Sequence, residues 1–84
     1  MNKARVVLYT KGGCGLCEKM KAEIARAACD ESYTLEEVDI EKDAELFAQY
    51  RFEIPVLFIN GVEAFRHRLT SDEFRACINS ASTG

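Results

Sequence analysis

The run Val6-Val7-Leu8-Tyr9 is apolar without a break, rich in β-branched residues, and ends at Thr10. A short continuous apolar run of this kind marks a strand buried on both faces, as in a parallel sheet. Lys11-Gly12-Gly13 breaks the run, and from Gly15 to Cys29 the period changes. Cys17, Met20, Ile24 and Ala27/Ala28 recur at three- and four-residue spacing, with Glu18, Lys19, Lys21, Glu23 and Arg26 between them. That spacing draws one apolar stripe along a helix, which Asp30-Glu31-Ser32 ends.

Tyr33 to Ile40 reads as a second strand with Tyr33, Leu35 and Val38 buried, although the alternation slips at Glu36-Glu37. Residues 42–50 read as a short helix with Leu46, Phe47 and Tyr50 on its inner side. Ile54-Pro55-Val56-Leu57-Phe58-Ile59 is a third strand, with Pro55 confined to its start because proline lacks the N–H a ladder needs. Asn60-Gly61 predicts a two-residue type I′ hairpin turn, and Val62 to about His67 returns antiparallel. Thr70 and Glu73 form a capping box at the start of a last helix, with Leu69 and Phe74 as its hydrophobic staple. Phe74, Cys77 and Ile78 then line that helix's buried face, and the small polar residues 80–84 are expected to fray.

The order is β-α-β-α-β-β-α, an α/β fold with one four-stranded mixed sheet and helices on both faces. The first two strands are parallel with a right-handed crossover. Eighty-four residues suit one domain spanning 1–84, with a modest stability margin. The net charge of −3 offers no basic face for nucleic acid and no polybasic run for an anionic membrane. The N-terminal apolar run is too short for a signal peptide or a membrane span, so a cytoplasmic protein is expected.

In that compartment four cysteines point to redox catalysis or metal binding rather than to structural disulfides. Cys14 and Cys17 form a Cys-x-x-Cys at the junction of the first strand and first helix. At a helix N-cap the sulfur of Cys14 faces unpaired backbone N–H groups and the positive end of the helix dipole, which favours a thiolate. Cys17 lies one turn further on the same side, within disulfide reach and more buried. Cys14 is therefore the candidate nucleophile toward a substrate disulfide, and Cys17 the thiol that resolves the mixed disulfide. Lys11 places a positive charge nearby, and Gly12-Gly13 allow a tight turn with room for a substrate backbone.

Two other classes use the same pair. A metal-binding protein would hold zinc or an iron–sulfur cluster through Cys14 and Cys17, sharing it across a dimer because local ligands are too few. Cys29 stands at the far end of the helix, about 20 Å along its axis, and cannot join such a site. An interaction module would keep the thiols as packing residues. Cys29 and Cys77 read as core residues, His67 as a solvated surface residue, and Tyr9 as packing. The cluster Arg66-His67-Arg68 could attract an anionic substrate group.

The segments Val7-Leu8-Tyr9-Thr10-Lys11-Gly12-Gly13-Cys14-Gly15-Leu16-Cys17, Glu37-Val38-Asp39-Ile40 and Ile54-Pro55-Val56-Leu57-Phe58-Ile59-Asn60-Gly61 together resemble the glutaredoxin-like branch of the thioredoxin superfamily. The resemblance implies a thioredoxin-like fold and thiol-disulfide oxidoreductase activity on protein or small-molecule disulfides. It implies Cys14 as nucleophile, Cys17 as resolving thiol, and Pro55 as a cis-proline against the dithiol. The backbone of Ile54 would pair with an extended substrate or with glutathione, and Lys11 would meet a glutathione carboxylate. No bound cofactor is implied, and glutathione is a candidate co-substrate. The chain departs from the family pattern at Gly15-Leu16, where glutaredoxins carry a proline and an aromatic residue. It departs again at residues 65–72, which lack the Gly-Gly and paired acids that hold the γ-glutamyl end of glutathione.

Overall fold

The computed structural model describes residues 3–82; residues 1, 2, 83 and 84 lie outside the described residues. Strand β1 (Ala4–Thr10) leads to helix α1 (Gly15–Arg26), strand β2 (Tyr33–Asp39) and helix α2 (Ala44–Tyr50). Strands β3 (Val56–Ile59) and β4 (Val62–Arg66) form the hairpin, and helix α3 (Ser71–Ser82) follows. The sheet order is β2-β1-β3-β4, with β1 parallel to β2 and antiparallel to β3.

The unbroken apolar character of β1 and β3 follows from their central position. Ala4, Val6 and Leu8 of β1 join Leu57 and Ile59 of β3 on one face, where Met20 and Ile24 of α1 and Phe74 and Ile78 of α3 cover them. On the opposite face Tyr9, Phe58 and Tyr50 of α2 pack ring against ring, at centroid separations of 5.0 to 6.4 Å. The hairpin turns through Asn60 (φ 53°) and Gly61 (φ 85°), the two positive φ values that a type I′ turn demands. The register then shifts between Leu57 and Phe58, leaving Ala64 of β4 as the extra residue of a β-bulge.

Several boundaries and burials differ from the sequence expectation: β3 starts at Val56 rather than Ile54, β2 ends at Asp39 rather than Ile40, Val38 is half-buried, and only one face of β1 is fully buried. Helix α1 ends at Arg26 rather than Cys29, because Arg75 of α3 donates from Nε to the carbonyl of Ala27 (3.0 Å) and Ala28 turns left-handed at φ 54°. Helix α2 starts at Ala44, where Asp43 accepts from the N–H groups of Glu45 and Leu46, and a 3₁₀ turn fills Ile40–Lys42. Of residues 80–84, expected to fray, 80–82 are helical, and 83 and 84 lie outside the described residues. Leu35, expected in the core, is exposed. It sits early in edge strand β2, whose middle is uncovered: Tyr33 at its start meets Phe74 edge-on, and Ile40, just past its end, packs into the cluster beside α2. The capping box forms as expected, Thr70 N–H donating to Glu73 Oε1 (3.0 Å) and Glu73 N–H to Thr70 Oγ1 (3.1 Å).

Ala28 is exposed and left-handed, a conformation that strains any residue bearing a Cβ. Glycine relieves that strain at the cost of greater freedom in the unfolded chain. Ala28→Gly is expected to stabilise the fold by about 0.5–1 kcal/mol, raising Tm by roughly 2–8 °C in thermal unfolding followed by circular dichroism.

Candidate active site

The site forms where β1 ends and α1 begins. Gly13 turns the chain at φ 74°, and Cys14 is the N-cap of α1 in extended conformation (φ −95°, ψ 106°). Its Sγ accepts a hydrogen bond from the backbone N–H of Cys17 at 3.2 Å. Its carbonyl accepts the first helical bond, from Glu18 N–H. Cysteine thus fills the place that Ser, Thr, Asn or Asp usually takes at a helix start.

The two thiols differ in access. Cys14 is half-buried, whereas Cys17 is wholly buried. Burial pushes the Cys17 thiol above its ordinary range, and its hydrogen bond with Cys14 pushes the same way. Thr10 and the backbone of Lys11 oppose that shift as weaker influences. Cys17 is therefore held as a thiol at neutral pH beside a more accessible sulfur.

Cys17 packs with Ile40 and Ile54, and Tyr9, Cys14, Leu46, Phe47 and Tyr50 close around them. The Ile54–Pro55 peptide bond is cis and both residues are buried. The Pro55 carbonyl accepts from His67 N–H at 2.8 Å, and His67 takes a left-handed φ of 69° to provide it. Arg66 bridges Glu53 (2.9 Å) and Glu63 (2.6 Å), tying the segment before the cis bond to β4. These ions are too exposed to add much stability; their effect is to position.

Lys11, half-buried, lines a shallow groove of about 260 Å³ with Thr10, Gly12, Glu18, Glu37 and Asp39. Lys21 neutralises Glu18 (2.9 Å) and Glu37 (3.3 Å) there, while Lys11 makes no ion pair among the described residues. A second groove, of about 400 Å³, opens beside Leu16 on the other side of the dithiol. An added Cβ at Gly12 or Gly15 would meet no protein atom within 4 Å, so the surface beside the cysteines is open.

The structure thus brings Cys14, Cys17 and Ile54 into one cluster, with the Lys11 backbone against Cys17 and its side chain in the adjoining groove. Pro55 is buried and joined to Ile54 through the cis bond. Cys29 and Cys77 are half-buried and pack against the main core, away from the dithiol. Among the described residues no group of three or more His, Cys, Asp or Glu side chains is placed to hold a metal ion. Sequence reading missed Ile40, whose position after an irregular stretch hid its burial, and the left-handed His67, which no glycine signalled. It missed as well the bond from Glu23 of α1 to the Ser71 N–H of α3 (2.8 Å), a contact across 48 residues.

A family model described as "Glutaredoxin-like domain (DUF836)" matches residues 5–79. The "Glutaredoxin-like protein YDR286C homolog" of Dictyostelium discoideum is 33% identical over 72 residues, covering 77% of this chain. This chain spans 66% of that relative's length. The solution structure of protein Ne2328 from Nitrosomonas europaea superposes with a TM-score of 0.75 at 29% identity, covering 92% of this chain and 93% of that one. Chloroplastic thioredoxin z superposes with a TM-score of 0.76 at 16% identity, covering 99% and 81%, which shows the shared fold alone. The fold is thioredoxin-like, and the chain, with its Cys14–Cys17 pair at the head of α1, belongs to the glutaredoxin-like (DUF836) domain family of the thioredoxin superfamily.

Proposed function

We propose that the chain is a thiol-disulfide oxidoreductase acting through Cys14 and Cys17. The observation that carries this reading is the asymmetry of the pair: an accessible sulfur at a helix N-cap, one turn from a buried thiol whose own N–H donates to it. The Cys14 thiolate attacks one sulfur of a substrate disulfide, that S–S bond breaks, and the departing sulfur takes a proton. Cys17 then loses its proton and attacks Cys14 Sγ, releasing the second substrate thiol. Two electrons have moved from the dithiol to the substrate, which leaves as two thiols while a Cys14–Cys17 disulfide remains.

Ile54 packs beside the pair, and its backbone with that of Pro55 is where an extended substrate strand would lie, with Lys11 offering a positive charge nearby. The dithiol itself carries the electrons, so the reaction needs no resident cofactor; the reductant that reopens the disulfide is a thiol, with glutathione one candidate. A cytoplasmic setting suits a pair that must be returned to the reduced state. No helix among the described residues is long and apolar enough to cross a membrane.

Equilibration in defined glutathione buffers, followed by acid quench, alkylation and peptide mass spectrometry, is expected to show the Cys14–Cys17 disulfide closing within about −180 to −320 mV. Cys14→Ser abolishes turnover, while Cys17→Ser traps a mixed disulfide on Cys14. Equal, mild effects of the two substitutions would overturn the assignment of roles.

The raised Cys17 thiol gives a separate test, since only a thiolate is alkylated. With iodoacetamide the accessible Cys14 site is labelled ahead of the buried Cys17 site. Cys17 becomes reactive only at a pH above that needed by an ordinary thiol. Equal labelling of both at pH 7 would contradict this ordering.

A further inference from the structure

Cys17 has to lose a proton before it can resolve a mixed disulfide, yet it is wholly buried. Among the described residues the polar groups that reach its sulfur are Cys14, the Thr10 side chain and the Lys11 backbone. Cys14 is the partner it attacks, and a backbone amide offers a hydrogen bond without passing a proton on. Thr10 differs, because a hydroxyl both accepts and donates. Its place follows from the strand. Ala4, Val6 and Leu8 are the buried row of β1, and the two-residue period puts Thr10 next in that row. The buried stripe of α1 begins at Cys17 and runs on through Met20 and Ile24. The last side chain of one row therefore meets the first of the other. Thr10 is only half-buried, and it lines the shallow groove of about 260 Å³ together with Lys11, Glu18, Lys21, Glu37 and Asp39. One hydroxyl thus stands between a thiol sealed from water and a polar groove on the surface. Thr10 Oγ1 lies 3.5 Å from the Lys11 carbonyl, the outer limit of a hydrogen bond, so its proton is not committed there.

We propose that Thr10 is the proton-transfer partner of Cys17 in the resolving step, passing the proton of the buried thiol to solvent water in the groove. This rests on the oxidoreductase reading of the Cys14–Cys17 pair and adds a residue to it. In one concerted shift Thr10 Oγ1 takes the proton from Cys17 Sγ and gives its own to water. The hydroxyl left behind carries the proton that came from sulfur, and donates it as a hydrogen bond to the new thiolate. That thiolate attacks Cys14 Sγ, the bond from Cys14 to the substrate sulfur breaks, and its electron pair leaves on that sulfur. The other titratable groups packed around the thiol are Cys14, Tyr9 of β1 and Tyr50 of α2, while Ile40 and Ile54 bring no charge. In the groove Lys21 pairs with Glu18 and Glu37, and Lys11 and Asp39 complete its charges. All of these are kept when Thr10 alone is replaced.

The test mixes the reduced full chain with one equivalent of dithiobis(nitrobenzoate), an aromatic disulfide whose released thiolate is coloured. Attack by Cys14 releases the first thiolate and resolution by Cys17 the second, so the two steps give two phases. Cys17→Ser marks the first phase by itself. Both phases are followed against pH in the native chain, Thr10→Val and Thr10→Ser. Valine keeps the shape without the hydroxyl, and serine keeps the hydroxyl. Thr10→Val is expected to slow the second phase about threefold or more at pH 7, the scale of one hydrogen bond to a charged group after the offsetting gain in nucleophilicity. Its profile moves to higher pH, and where Cys17 is ionised in both chains the native and variant rates meet. The first phase is unchanged, and Thr10→Ser follows the native profile. Thr10→Ala is expected to shift the second phase in the same way, should the valine variant fail to fold. A second phase that ignores loss of the hydroxyl would overturn the proposal. So would equal slowing at every pH, the mark of displaced packing, or a serine variant that behaves like valine. A native chain with a first phase alone removes Cys17 from the reaction, and one with neither phase overturns the oxidoreductase reading; the proposal falls in both cases.

Discussion

The central place of β1 in the sheet, with one face buried and aromatic rings against the other, is the constraint on which the site depends. Val6 and Leu8 lie under α1 and α3, while Tyr9 faces the aromatic cluster on the α2 side. A strand held from both sides has its end fixed, and the turn that leaves it has little freedom. Cys14 consequently arrives at the N-cap of α1 in a set orientation, with a backbone N–H directed at its sulfur. The apolar residues that determine the core thus also place the thiol, and the position of Cys17 follows from helix geometry alone.

The second component comes from the far side of the sequence. The cis Ile54–Pro55 bond lies at the entrance to β3, the strand that pairs with β1 on the other side from β2. Because β3 runs antiparallel to β1, its beginning lies next to the end of β1, with Val56 opposite Tyr9. Ile54 therefore reaches the dithiol through strand register rather than through any contact specific to sulfur. The Arg66 bridge to Glu53 and Glu63 and the bond from His67 N–H to Pro55 reinforce the same placement from β4.

The periodic elements were legible because each reports a local pattern. The apolar run of β1, the stripe of α1, the Asn60-Gly61 turn and the Thr70/Glu73 box are visible in windows of a few residues. The dithiol was legible for the same reason. Leu35 misled because alternation shows which side of a strand a residue takes but not whether a helix covers it; β2 lies at the edge, and its middle is open. The early end of α1 was hidden because its cause is tertiary, an arginine 48 residues away taking the Ala27 carbonyl. His67 gave no signal, since a positive φ at a non-glycine residue is imposed by its neighbours.

Glu23 shows the same limit in the packing of two helices. In sequence it is one polar residue on the solvated side of an amphipathic helix. In the fold its carboxylate accepts from the Ser71 N–H and ties α1 to the first turn of α3, nine positions after Cys14 and about 13 Å further along the axis. One helix therefore carries a cysteine as its own cap and, two and a half turns later, a side chain that caps its neighbour. Neither contact requires the other: the first acts on Cys14 through the backbone, and the second holds α3 against α1.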